Sequence, residues 1–137
     1  MKRGHPAPAA VVAIQAQQRD NDCVACALST LLGVRYEDVT FAAARVEKKY
    51  LGRYGVHWKQ IKVIALLLGF DLQEKRQADL EDDTGILLVK QGLKHKHHHT
   101  VVLQKGHIID HDNTSWEADV YLANIDGIPS SLYYLPE

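Results

Sequence analysis

Gln17-Gln18-Arg19-Asp20-Asn21-Asp22-Cys23-Val24-Ala25-Cys26-Ala27-Leu28-Ser29-Thr30-Leu31-Leu32-Gly33 is the stretch on which the fold turns. A polar run passes without a linker into apolar residues at helical spacing. Asp22 is a good N-cap, because its short carboxylate can accept the unpaired N–H groups of a first helical turn, and Cys23 then becomes the first helical residue. Val24, Ala27, Leu28 and Leu31 recur with the helical period until Gly33, a residue suited to the left-handed backbone that ends a helix. A thiol at the first position of a helix faces orphan N–H groups and the positive end of the macrodipole, both of which favour the thiolate. Cys26 lies one turn inside, beside Ala25 and Ala27, and reads as a small packing residue, the common fate of a free cysteine. Cys23 follows residues that must reach solvent or a cleft, and it reads as a nucleophile.

Working outward, two more helices are expected. One covers residues 37–50, with Val39, Ala42, Ala43, Val46 and Tyr50 on one stripe and Glu47, Lys48 and Lys49 solvated. The other covers 57–68, with Trp58, Ile61, Ala65 and Leu68 inward and Gly69 as its stop. Beyond Gly69 the period changes to that of strands, predicted at 70–73, 86–89, 100–103, 107–110, 120–122 and 132–135. Helices first and an antiparallel sheet second argue for a segregated α+β domain rather than alternating βαβ units. Upstream, Val11, Val12 and Ile14 predict a short strand or extended arm. The apolar stretch that holds them is short and interrupted by Pro6 and Pro8, so it reads as mature chain and not as a signal peptide.

The totals exclude several classes. With 137 residues, one domain over 1–137 is expected. Sixteen Lys plus Arg against seventeen Asp plus Glu give a formal net charge of −1, with no basic excess to hold a nucleic acid. Two cysteines are too few for a disulfide scaffold and imply reduced thiols in a soluble, cytoplasmic setting, with secretion left open. No apolar run approaches the roughly 18 residues of a membrane span.

A cysteine nucleophile needs a base, and six of the eight histidines fall between His95 and His111. Strand geometry chooses among them. Residues 100–104 and 107–111 flank Lys105-Gly106, which predicts a hairpin with a two-residue turn pairing Gln104 with His107 and Leu103 with Ile108. Side chains alternate between faces, so His99, Val101, Leu103, Ile108, Asp110 and Asp112 share one side, while His98, His107 and His111 project from the other. Asp110 then lies diagonal to His99 and Asp112 opposite it. Either can fix the imidazole tautomer, as a Cys-His-Asp site requires.

The segment from Gln17 to Leu28, followed by Gly33, resembles the start of the bacteriocin-processing cysteine peptidases, the papain-like domains that remove double-glycine leaders. Their signature is a Gln six residues before an Asp-Cys pair that opens a helix. The resemblance extends to Gly55-Val56-His57, to Gly69-Phe70, and to His99-Thr100-Val101-Val102-Leu103 and Ile108-Ile109-Asp110, spanning most of residues 10–115. It implies a papain-like α+β fold, with the nucleophile at a helix N-terminus packed on the C-terminal antiparallel sheet. It also implies Cys23 as nucleophile, His99 as base, Asp110 as orienting carboxylate, and Gln17 with the Cys23 backbone N–H as oxyanion hole. The implied substrate is a peptide or protein, cut after small residues such as Gly-Gly. No cofactor is implied. The family is often the front domain of an exporter; with no segment here that spans a membrane or binds ATP, a free-standing relative is expected. The sequence departs from the pattern at Val24, where the family usually has Gly, which would narrow access beside the nucleophile. It departs again at His111, where Pro often follows the aspartate, and this keeps Asp112 as a lesser candidate.

The same machinery serves deamidases, transglutaminases and isopeptidases. A peptide-binding module without turnover is a further reading, as is a zinc site built from Cys23, Cys26 and two of the clustered histidines. An Asp-capped cysteine with an upstream Gln is not explained by metal. Trp58, Trp116, Tyr133 and Tyr134 read as groove or as core.

Overall fold

The computed structural model describes residues 23–46, 58–91, 97–110 and 114–136. The expected first strand, the Asp22 cap, the end of the second helix at 47–50 and the approach to the third at 55–57 lie outside the described residues.

Helix α1 spans Cys23–Leu32 of the described residues. It is buried on nearly every side, from Val24 through Thr30, which makes it the central helix rather than one with a single apolar stripe. Gly33 ends it at a φ of 70°, its N–H donating to the Ser29 carbonyl at 3.0 Å, while the Ser29 hydroxyl donates to the Val34 carbonyl at 2.6 Å. Helix α2 (Tyr36–Val46) carries Glu37 and Asp38 in its first turn and Arg45 in its last, matched to the macrodipole, and buries Tyr36, Val39, Ala42 and Ala43. A 3₁₀ turn (Trp58–Gln60) leads into α3 (Ile61–Leu67), which turns Ile61, Ile64 and Ala65 inward. Gly69, at a φ of 96°, closes α3 in a Schellman motif: its N–H donates to the Leu66 carbonyl at 3.0 Å and that of Phe70 to the Ala65 carbonyl at 2.9 Å.

Six strands follow: β1 (Gln73–Lys75), β2 (Thr84–Gln91), β3 (His97–Gln104), β4 (His107–Ile109), β5 (Ser115–Glu117) and β6 (Gly127–Tyr134). They form one antiparallel sheet in the order β1-β6-β2-β3-β4-β5. Two expectations need correction, and one strand is new. The strand predicted at 70–73 starts only at Gln73, because Phe70 is held by the α3 closure. Strand β5 is too short to show an alternation and was not foreseen. The segment 120–122 is not a strand but part of helix α4 (Ala118–Asn124). Val120-Tyr121-Leu122 are all good strand formers, yet Ala118, Tyr121 and Leu122 are buried at positions i, i+3 and i+4, while Val120 stays 48% exposed.

With α4 present, the sheet is covered on both faces. Ile86, Val102, Ile109 and Tyr133 pack against α1, α2 and α3. Leu87, Val89, Val101, Leu103, Ile108 and Leu132 pack with Ala118, Tyr121 and Leu122 of α4. Adjacent residues of β2 and β3 therefore enter opposite cores, which is why these strands read as continuous apolar runs. At Gly85 the strands pass so closely that a Cβ would strike the Tyr133 carbonyl.

Candidate active site

The β3–β4 hairpin has the predicted register, Gln104 opposite His107 and Leu103 opposite Ile108, with Val102 opposite Ile109 as a third pair. Lys105 and Gly106 both have positive φ, 40° and 91°, as a type I′ turn demands. Their N–H groups donate to the carbonyls of Asp83 at 2.9 Å and Leu80 at 2.7 Å, so the turn is pinned to the loop before β2.

Among the described residues, pairing of β3 with β4 ends at Val102, and ahead of it the Thr100 backbone N–H hydrogen-bonds to the sulfur of Cys23. The Thr100 hydroxyl is buried and has no hydrogen-bond partner among the described residues. A half-buried thiol is thus delivered by α1 to the edge of strand β3.

His99 is the next residue along that edge. Its Nε2–H donates to Asp110 Oδ1 at 3.1 Å, and the same ring hydrogen-bonds to Cys23. With Nε2 committed to the carboxylate, Nδ1 is the nitrogen that serves the thiol. Burial alone pushes the Cys23 thiol up, but the hydrogen bonds from His99 and Thr100 and the charge on His99 outweigh it and leave the thiol below its ordinary value. Burial pushes His99 down, and the bonds to Asp110 and Cys23 overturn that and raise it to about 9. Both shifts favour the same pair, a thiolate beside an imidazolium. The macrodipole of α1 adds to the effect.

Asp110 is held from two further directions. Its N–H donates to the Thr114 carbonyl at 3.0 Å, and its Oδ2 accepts the Tyr121 hydroxyl at 2.7 Å. Tyr121 comes from α4, is almost fully buried, and packs its ring against Trp116 at 6.4 Å between centroids. Trp58 lies against His98 at 4.9 Å, on the face of β3 opposite His99. Tyr133 is buried in the core. A small cleft opens beside Cys23, lined by Cys26, Ala27 and Thr30 of α1 and by Thr100, Val102 and Asp110. Val24 is not part of it; its side chain is in the core.

Of the residues singled out in the sequence, the fold brings Cys23, His99 and Asp110 into one line of contacts. Gln17 and Asp112 lie outside the described residues. Cys26 is buried in the core one turn from Cys23. Among the described residues no group of three or more His, Cys, Asp and Glu side chains is arranged to hold a metal, and no helix is long and apolar enough to cross a membrane. Sequence reasoning missed Tyr121 and Thr100. Tyr121 was hidden because its segment reads as a strand, although the spacing of Ala118, Tyr121 and Leu122 carried the helical signal.

No family model and no curated protein matches the chain in sequence. Among solved structures it is similar to a double-glycine motif protease from an AMS/PCAT transporter, solved in complex with its leader peptide. The identity is 15%, the TM-score is 0.60, and the match covers 93% of this chain and 94% of that one. The fold is thus the α+β, papain-like peptidase fold, and it is retained at an identity too low to carry chemistry by itself.

Proposed function

We propose that this chain is a cysteine peptidase that cleaves peptide bonds by a Cys-His-Asp mechanism. The observation that carries the reading is the unbroken line from Cys23, at the first position of α1, through His99 to Asp110. The fold shared with a protease that was solved with a bound peptide supports it.

In this mechanism Cys23 gives its proton to His99 and attacks the carbonyl carbon. The resulting oxyanion is held by the Cys23 backbone N–H and the side chain of Gln17, the role that the resemblance implies for that residue. His99 then passes its proton to the leaving amine, and the thioester remains. Water attacks the thioester, with His99 now acting as base, and the acid is released. Asp110 keeps Nε2 protonated throughout and stabilises the imidazolium. The substrate is a peptide or protein cut after small residues such as Gly-Gly.

The test is a diverse peptide library incubated with the wild-type chain and with Cys23→Ala, read by mass spectrometry. Cleavage that depends on Cys23 and concentrates after small residues is expected. Deamidated or cross-linked products in place of cleaved ones would overturn peptidase activity in favour of another acyl transfer, and binding without turnover would overturn catalysis altogether.

A further inference from the structure

The proposed mechanism leaves Cys26 unused, although it is a second thiol in the first turn of the same helix and lines the same cleft as Cys23. Neither cysteine is in a disulfide. Positions i and i+3 of an α-helix have Cα atoms about 5 Å apart, inside the roughly 4.4–6.8 Å span of disulfides. Their Cβ atoms stand about 5–6 Å apart, so bridging requires a small closure. The first helical turn yields most easily, because its N–H groups have no partners within the helix to lose. The two thiols also differ as a reacting pair should: Cys23 is partly exposed at the cleft, whereas Cys26 is 3% exposed and shielded from outside reagents.

We infer that Cys23 and Cys26 form a reversible thiol–disulfide pair, a modification site through which small-molecule disulfides of the glutathione type switch the cleft off. The inference rests on the reading of Cys23 as the nucleophile and concerns the regulation of that residue. The Cys23 thiolate attacks one sulfur of the small disulfide, forming a mixed disulfide and releasing one thiolate. Cys26 then attacks the Cys23 sulfur, its proton passing to the departing second sulfur. Two protein thiols are oxidised and one disulfide is reduced to two thiols. The bridge consumes the nucleophile, and it also protects Cys23 from irreversible oxidation to sulfinic acid. A thiol reductant restores both groups.

The experiment treats the reduced chain with glutathione disulfide near neutral pH and follows intact mass, disulfide-linked peptides and alkylation of Cys23. Wild type is expected to lose two hydrogens in mass, to yield a peptide bridged from Cys23 to Cys26, and to recover full Cys23 labelling with dithiothreitol. Cys26→Ala and Cys26→Ser, which leave Cys23 in place, are expected to stop at the glutathione adduct on Cys23. An adduct on wild-type Cys23 as persistent as that on Cys26→Ala, or no reaction at Cys23, would overturn the inference. These readouts do not depend on turnover: a bridge that forms in a chain cleaving no peptide would leave the redox pair standing and remove the peptidase reading.

Discussion

The two faces of the sheet contribute to the site in different ways. On one face α1, α2 and α3 form a large core whose central helix delivers a thiol. On the other a seven-residue helix, α4, covers a smaller core and delivers a hydroxyl that clamps a carboxylate. The two contributions meet at His99, on the part of β3 that β4 does not pair. Under the proposed mechanism the large face brings the reacting atom, and the small face sets the charge state of the group that serves it. A site can thus depend on a helix too short to hold itself together in isolation.

The sharpest break between the faces comes from removing the reacting group. Under the proposed mechanism Cys23→Ala lowers kcat by about 10⁴-fold or more while the melting temperature barely moves. A Cys23→Ala/His99→Ala double variant is expected to lose little beyond either single change, because the two residues act as one unit. Next comes the carboxylate: Asp110→Asn keeps the shape but loses the charge, and a fall in kcat of about 10²–10⁴-fold is expected. Its pH–rate profile sharpens the comparison. In wild type, activity is expected to fall in acid as the Cys23 thiolate is protonated, and to fall in base as His99 loses its proton near pH 9. Asp110→Asn moves the alkaline limb down toward the ordinary imidazole range.

Tyr121→Phe is a smaller cut made only from the α4 side. Losing a hydrogen bond to a charged group costs about 1.5–3 kcal/mol, so a fall in kcat on the order of tenfold to a hundredfold is the upper range expected. Because Tyr121 acts through Asp110, KM stays unchanged and the alkaline limb shifts down by less than in Asp110→Asn. An effect on stability with an unmoved pH profile would reduce Tyr121 to a packing residue and break the division between the faces. Stability separates the faces too. Leu28→Ala, at a fully buried position of α1, is expected to cost about 3–5 kcal/mol, and Leu122→Ala, at the 7% exposed rim of the α4 core, nearer 2, by chemical denaturation.

The large face was legible in sequence because its signals are local. Gly33 and Gly69 mark helix ends where a left-handed residue is required, and both have positive φ in the structure. The hairpin register was legible for the same reason, since Lys105-Gly106 suits one turn type and the apolar residues around it permit one facing. The small face was not. Ala118, Tyr121 and Leu122 make a helix because Leu87, Val101 and Leu132 need cover on that side of the sheet, a requirement set by residues distant in the chain. Local strand preference at Val120-Tyr121-Leu122 pointed the other way, and tertiary packing overrode it. Thr100 was hidden differently: its contact with Cys23 joins a strand edge to a helix end far apart in sequence.

The thiolate–imidazolium pair proposed at the meeting point of the two faces is tested most directly by the rate of Cys23 alkylation measured across pH in wild type and in His99→Ala. A thiolate held by His99, Thr100 and the α1 N-terminus predicts that wild-type Cys23 reacts well below the free-thiol pKa of about 8.5 and that His99→Ala moves this reactivity up toward that value. Identical profiles for the two proteins, both rising only near the free-thiol pKa, would contradict it.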